Sequence, residues 1–196
     1  MIHDSDIREP LFDFLEDTYG KTRIIEEKMM GRSRADMVMV TESFLYGIEI
    51  KSDADTYSRL SRQIKDYDRY FDRNMIVVGT THAMSVCSHV PGYWGIITVE
   101  EVEGILDFYM LRHPSDNPKM KQEYKLSVLW RPELAHLLAI NGLPKYAQTS
   151  KKFVIEKLIS SVEKEKLSGQ LCEELFQRDY TTISETISEY KRKHKR

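Results

Sequence analysis

Cysteine is scarce in this sequence, and long apolar runs are missing from it. The two cysteines, Cys87 and Cys172, lie far apart in the chain, which argues for free thiols in a reducing compartment and against a disulfide framework. No apolar stretch approaches the length that spans a bilayer. The opening residues, MIHDSDIREP, lack the basic and then apolar pattern of a signal peptide. We therefore expect a cytoplasmic protein that has no membrane partner.

The residues that are abundant indicate a folded globular protein. Hydrophobic residues make up 41% of the chain and charged residues 31%, as is typical of soluble domains. A chain of 196 residues can bury one full core and a small appended module. The charges behind the net value of -2 are unevenly distributed along the chain. From Pro144 onward Lys and Arg outnumber Asp and Glu, and the last six residues are KRKHKR.

The order of the predicted elements sets the fold class. Helical spacing predicts a first helix from Ser5 or Asp6 to about Tyr19, with Gly20 as its stop. Three strands, a helix, a strand, a short helix over 81–89 and a hairpin follow. This order predicts the α/β class, with a mixed β-sheet flanked by helices, as in restriction-endonuclease-like folds.

The composition changes after residue 113 to Pro, Ser, Asp, Asn and Lys, as expected of an exposed loop. Helical patterns dominate the remainder. We therefore predict a core over 1–113, a linker over 114–130, and a small helical module with a basic tail over 131–196.

Two strands between Arg34 and Lys51 form the most informative stretch. Side chains alternate between the faces of a strand, so Glu49 and Lys51 should lie on one face, with Asp36 beside them on the neighbouring strand. The opposite face should be apolar and consist of Met37, Met39, Ile48 and Ile50. Two carboxylates so close together are costly unless they are compensated, and a divalent cation is the usual compensation.

Other polar residues can join this patch. Glu27 lies nine positions before Asp36, so it could reach the patch in an antiparallel arrangement. The alternative is a solvated carboxylate at the edge of a strand. Gln63 and Tyr67 are four residues apart in the next predicted helix and therefore share one of its faces.

These residues resemble the core motif of the PD-(D/E)XK nuclease superfamily. Asp36 and the later Glu49-x-Lys51 match that motif, although Ala35 stands where the usual Pro precedes the Asp. The pair Gln63 and Tyr67 resembles the Q-x-x-x-Y signature of the RecB-like branch. More closely, the chain resembles a small family of bacterial and phage proteins of this superfamily. The matching stretches are RADMVMV, YGIEIKSDADTYSRLSRQIKDYDRYFD and LSVLWRPEL.

The resemblance implies a metal-dependent deoxyribonuclease. Carboxylates at Asp36 and Glu49, with the carbonyl of Ile50 and water, give the hard oxygen ligands that Mg²⁺ prefers, and Mn²⁺ can take its place. Glu27 could complete the metal shell. Such an ion polarises a phosphoryl oxygen and lowers the pKa of a bound water.

The same resemblance gives roles to the remaining motif residues. Lys51 would orient or help to deprotonate the attacking water and stabilise the developing charge. Gln63 and Tyr67 would support the site or contact the phosphate backbone. The implied partner is DNA, and a homodimer is possible because nucleases of this fold often dimerise to cut both strands.

The C-terminal part contains a second candidate binding element. Residues 132–160 resemble a SAP-like helix-extension-helix module, which would bind the DNA backbone through Lys151 and Lys152 at the start of its second helix. The alternative is an ordinary helical hairpin packed on the core.

Two functions stay open at this point. The first is a metal-dependent nuclease of repair, recombination, restriction or phage biology. The second is a non-catalytic member of the same fold that binds nucleic acid or protein, such as an accessory protein or a phage-encoded inhibitor.

Overall fold

A six-stranded mixed sheet forms the centre of the molecule. The computed structural model describes residues 2–178, so most of the predicted basic tail lies outside the described residues. The strands are β1 (Arg23–Met30), β2 (Ser33–Val40), β3 (Leu45–Lys51), β4 (Arg73–Val78), β5 (Gly95–Val102) and β6 (Ile105–Arg112). Their order in the sheet is sequential. The pairs β3 with β4 and β4 with β5 are parallel, and the others are antiparallel.

Helices cover both faces of this sheet. They are α1 (Asp4–Tyr19), α2 (Leu60–Tyr70), α3 (Thr80–Ala83), α4 (Val86–His89), α5 (Gln122–Leu126), α6 (Arg131–Ile140), α7 (Lys151–Ser161) and α8 (Lys164–Gln177). The predicted class, an α/β mixed sheet flanked by helices with a helical C-terminal region, is confirmed. Among residues 2–178, none of the helices combines the length and the apolar composition that crossing a membrane requires.

Helix α1 covers one face of the sheet. Its buried side chains Ile7, Leu11 and Leu15 recur at helical spacing and pack on apolar residues of β2 to β5. The helix begins after His3, slightly earlier than predicted, because the carboxylate of Asp6 accepts the His3 N–H at 3.0 Å. It ends as predicted at Gly20, whose φ of +74° favours glycine.

The opposite face packs against α2 and the C-terminal helices. One cluster of buried side chains runs from the sheet through α2 to α8, and includes Phe71, Leu137, Leu158 and Leu171. Residues of the C-terminal helices therefore share their apolar surroundings with the sheet.

The segment 114–130, predicted to be a linker that begins with an exposed loop, packs against the core at Asn117 and from Lys125 onward, while most of residues 114–124 are exposed or half-buried. Lys125 is 1% exposed and lies 2.6 Å from Asp72. The side-chain amide of Asn117 donates to the carbonyls of Asp68 and Phe71 at 2.9 and 2.8 Å. These polar side chains are satisfied by the end of α2 and its following turn, so their presence did not signal solvent exposure.

Candidate functional site

Strand β3 presents its polar side chains to α2. Glu49 is fully buried and Lys51 nearly so, while Ile48 and Ile50 lie in the apolar cluster under α1. The predicted alternation of faces is therefore confirmed for this strand. Asp36 on the neighbouring β2 accepts the N–H of Ile50 through Oδ2 at 2.9 Å, which fixes its carboxylate at the edge of the same patch.

Three donors converge on the carboxylate of Glu49. Tyr67 Oη donates to Oε2 at 2.7 Å. Gln63 Nε2 and Lys51 Nζ both contact Oε1. A buried carboxylate without partners would cost several kcal/mol, so these bonds account for its presence in the core. The structure thus brings together Glu49, Lys51, Gln63 and Tyr67 as the motif predicted.

Tyr67 also contacts the backbone of both β2 and β3. Its Oη accepts the backbone N–H of Asp36 at 3.3 Å and lies 3.1 Å from the carbonyl oxygen of Ile48. Burial, followed by the charge of Glu49, raises the pKa of Tyr67 well above its ordinary value. The phenol therefore stays protonated and remains a hydrogen-bond donor at neutral pH.

The negative charge of Asp36 is disfavoured in this site. Burial and then the charge of Glu49 raise its pKa from 3.8 to about 7, against the lowering effects of the Ile50 N–H and of Lys51. A bound cation would relieve this repulsion, because an opposite charge stabilises the ionised carboxylate.

The raised pKa of Asp36 predicts a pH dependence of stability. Between pH 4 and about 7 the folded chain keeps a proton on Asp36 that the unfolded chain has released, so the free energy of unfolding falls as pH rises. At about 1.4 kcal/mol for each pKa unit, the total is of the order of 4 kcal/mol. Urea unfolding in EDTA from pH 4.5 to 8 should show this fall in the wild type. In Asp36→Asn the fall should be smaller, and parallel pH curves for the two proteins would contradict this assignment.

Arg8 is a neighbour of the site that sequence reasoning missed. Its Nη1 donates to the carbonyl oxygen of Asp36 at 3.3 Å, and its Nη2 lies 3.9 Å from Asp36 Oδ1. Asp4, one turn earlier in α1, holds the guanidinium at 2.8 Å. The spacing of Asp4 and Arg8 signals a helical ion pair, but the contact with β2 depends on how α1 crosses the sheet.

Glu27 lies near the patch, but its carboxylate points elsewhere. The flanking pairs Glu26 with Met37 and Lys28 with Ala35 place Glu27 opposite Asp36 in the register. Its φ of +53° is left-handed and uncommon for a residue with a side chain. The carboxylate is about half exposed and pairs with Arg34 at 3.1 Å. The structure thus does not place it against Glu49.

The two lysines predicted to bind DNA lie at the first turn of α7. Lys151 Nζ donates to the carbonyl oxygen of Ser127 at 2.6 Å. Lys152 is 83% exposed and lies 3.8 Å from Glu156. The structure thus leaves Lys152 accessible, while Lys151 is already engaged with the end of α5.

Comparison with known proteins identifies the family. A family model described as bacteriophage P4 protein cII matches residues 2–196. The chain belongs to this family. No curated protein matches it. Among solved structures, SfsA from Pyrococcus furiosus, solved in complex with Ca²⁺, is similar with 16% identity and a TM-score of 0.35, over 54% of this chain and 61% of SfsA. The chain therefore spans less than two thirds of SfsA.

The donor set of the patch fits a hard cation with few protein ligands. Within residues 2–178, no three His, Cys, Asp or Glu side chains are grouped as metal ligands. Mg²⁺ is commonly held by one or two carboxylates and keeps several waters. Asp36 and Glu49 supply two carboxylates whose mutual repulsion such an ion would reduce. Asp36 and Glu49 are therefore the residues of the patch that could hold such an ion.

Proposed function

We propose that the chain is a metal-dependent nuclease of the PD-(D/E)XK type that hydrolyses DNA phosphodiester bonds. The observation that carries this proposal is the buried Glu49, which contacts Lys51, Gln63 and Tyr67 at once and lies beside Asp36. Glu49, Lys51 and Tyr67 are polar side chains taken out of water, and Asp36 and Gln63 are partly buried beside them. Each of the five takes part in at least one hydrogen bond. Such pre-organisation is costly for a merely structural hairpin and useful for catalysis.

The proposed metal ligands are the carboxylates of Asp36 and Glu49 and the carbonyl of Ile50, with Glu27 as a further candidate. The ion would polarise the phosphoryl oxygen and make a bound water more acidic. Asp36 must lose its proton to act as a ligand, and its raised pKa makes this loss strongly dependent on pH near neutrality.

The chain's own side chains would perform the remaining tasks. Lys51 would donate to the attacking water and to a phosphate oxygen, which stabilises the charge that develops during attack. Gln63 and Tyr67 would hold the carboxylate of Glu49 in one orientation, since each bonds to it from the same helix. These two residues are positioning residues in this scheme.

Cleavage of DNA in the presence of a divalent metal tests the proposal. The purified chain with Mg²⁺ or Mn²⁺ should cut single-stranded, duplex or branched DNA, and EDTA should stop the reaction, because the carboxylates alone cannot supply a Lewis acid. Asp36→Asn serves as the matched variant and should lose most of the activity. Cutting that persists in EDTA or in Asp36→Asn would indicate a contaminant and contradict the proposal. Binding of DNA without any cutting would favour the non-catalytic accessory or inhibitor.

We further propose DNA as the partner of the helix-extension-helix segment over residues 132–160, with Lys151 and Lys152 as backbone contacts. The exposure of Lys152 at the start of α7 supports this proposal, since backbone N–H groups at a helix N-terminus also favour phosphate. A homodimer belongs to the same proposal, because one site cuts one strand at a time and a duplex break needs two.

A further inference from the structure

The outer surface of α2 carries a row of positive side chains. The members are exposed and recur every three or four residues, which places them on one side of the helix. They are Arg59, directly before α2, and Arg62, Lys65 and Arg69 within it, here called the α2 basic row. The acidic residues of this helix, Asp66 and Asp68, are buried and bond to other residues, so the exposed charged residues of α2 are all positive.

The α2 basic row is largely free of ion pairs. Asp66 accepts a hydrogen bond from Ser33, and Asp68 accepts from Asn74, Tyr93 and Trp94. Within residues 2–178, the only carboxylate in ion-pair range of the row is that of Asp66, at 3.8 Å from Arg69. Cations that are not neutralised by the protein's own carboxylates remain available to an anionic partner.

Helix α1, across the sheet from α2, is acidic. Helix α1, on the other face of the sheet, carries Asp or Glu at six positions and a single Arg8. The two helices on opposite faces of the sheet therefore carry opposite charges. A polyanion would be attracted to the α2 side and repelled from the α1 side, which favours one orientation of approach.

The α2 basic row also lies next to the candidate site. Gln63 follows Arg62 directly, and Gln63 and Tyr67 reach Glu49 from the inner side of the same helix. From Arg59 to Arg69 the row extends about 15 Å at 1.5 Å per residue. Measured along the axis of a duplex, where each strand has a phosphate about every 3.4 Å, that length corresponds to about four phosphates of one strand.

We propose that the α2 basic row binds the sugar-phosphate backbone of DNA and directs a strand along α2 to the site. This inference rests on the proposed nuclease function and adds the path of its substrate. Contacts of this kind are independent of sequence and weaken as salt is raised, because each one releases counterions from the DNA.

Charge reversal on the row tests this proposal. The variant Arg62→Glu with Lys65→Glu is compared with Lys164→Glu plus Lys166→Glu, which changes the net charge equally on α8. Lys164 shares a cavity with Phe44, before the start of β3 and away from the Glu49 end. Binding of a fluorescein-labelled DNA duplex is measured by anisotropy in EDTA at several salt concentrations, and circular dichroism with thermal unfolding verifies that each variant is folded.

The row variant should bind about tenfold or more weakly at low salt. The slope of the logarithm of the binding constant against the logarithm of the salt concentration should decrease in magnitude by about 2, since each lost phosphate contact removes about 0.9. The α8 variant should stay within about twofold of the wild type. Equal affinities and slopes for the row variant and the wild type would overturn the proposal, as would wild-type protein that does not bind the duplex.

The binding assay separates this inference from the nuclease function. It contains EDTA, so it registers DNA binding without cleavage. If a row variant cuts DNA in the presence of metal and binds it with unchanged affinity, the nuclease function is supported and the binding role of the α2 basic row is contradicted. If the wild type does not cut DNA but the row variant binds it more weakly, the α2 basic row is supported as a binding surface and the nuclease function is contradicted.

Discussion

Replacement of Lys51 by alanine should lower the rate of Mg²⁺-dependent DNA cleavage by about a hundredfold to ten-thousandfold. The Lys51 ammonium is the cation of the site, is 5% exposed and contacts Glu49. Its removal takes away the proposed donor to water and phosphate while leaving both carboxylates in place. Single-turnover cleavage of a labelled duplex measures the rate of this step without contributions from product release.

Two controls keep this result interpretable. Lys51→Ala also leaves Glu49 with one donor fewer, and breaking a buried pair can cost about 3–5 kcal/mol, so urea unfolding must show that the variant is folded at the assay temperature. DNA binding in EDTA should stay close to that of the wild type. Lys164→Ala, at an exposed lysine beyond the other end of β3, should cut at the wild-type rate. Undiminished cleavage by folded Lys51→Ala would contradict the role given to Lys51.

Local periodicity explains which parts of the candidate site were predictable. A strand alternates its side chains, so Glu49 and Lys51 had to share a face and Ile48 had to lie on the other. Gln63 and Tyr67 are one helical turn apart, so both had to point to the same side of α2. The sheet class followed from the order of strands and helices, since parallel neighbours such as β3 and β4 need a crossover helix between them.

Long-range contacts explain what could not be predicted. Arg8 reaches Asp36 across 28 positions of sequence, and no local pattern specifies that approach. The carboxylate of Glu27 turns to Arg34 because the backbone of β1 is left-handed at this residue. Lys125 lies in the segment that was predicted to be a linker, but its Nζ contacts the carboxylate of Asp72, 53 positions away in sequence, at 2.6 Å from Oδ2 and 2.8 Å from Oδ1. A polar composition indicates exposure only where no such buried partner exists.

Replacement of Gly47 by alanine should both destabilise the chain and impair the site. A Cβ at this position of β3 would lie 2.2 Å from Phe71 Cδ2 and 2.6 Å from Tyr67 Cδ1. Both rings are fully buried, so α2 must shift away from the sheet to relieve the overlap. We expect a loss of about 1–3 kcal/mol in the free energy of unfolding, as is typical of overpacked cores. Urea denaturation measures this loss directly.

The same shift would move Tyr67 away from Glu49, and the site would lose a donor without any change in a motif residue. Cleavage by folded Gly47→Ala should therefore be reduced as well, even under conditions where the variant is fully native. Gly169→Ala in α8 is the matched control, because nothing lies within 4 Å of the added Cβ. It should stabilise the chain by about 0.5–1 kcal/mol through helix propensity and leave cleavage unchanged. If Gly47→Ala has the stability and the cleavage rate of the wild type, α2 does not approach β3 closely. That result would also contradict the proposal that Tyr67 positions Glu49.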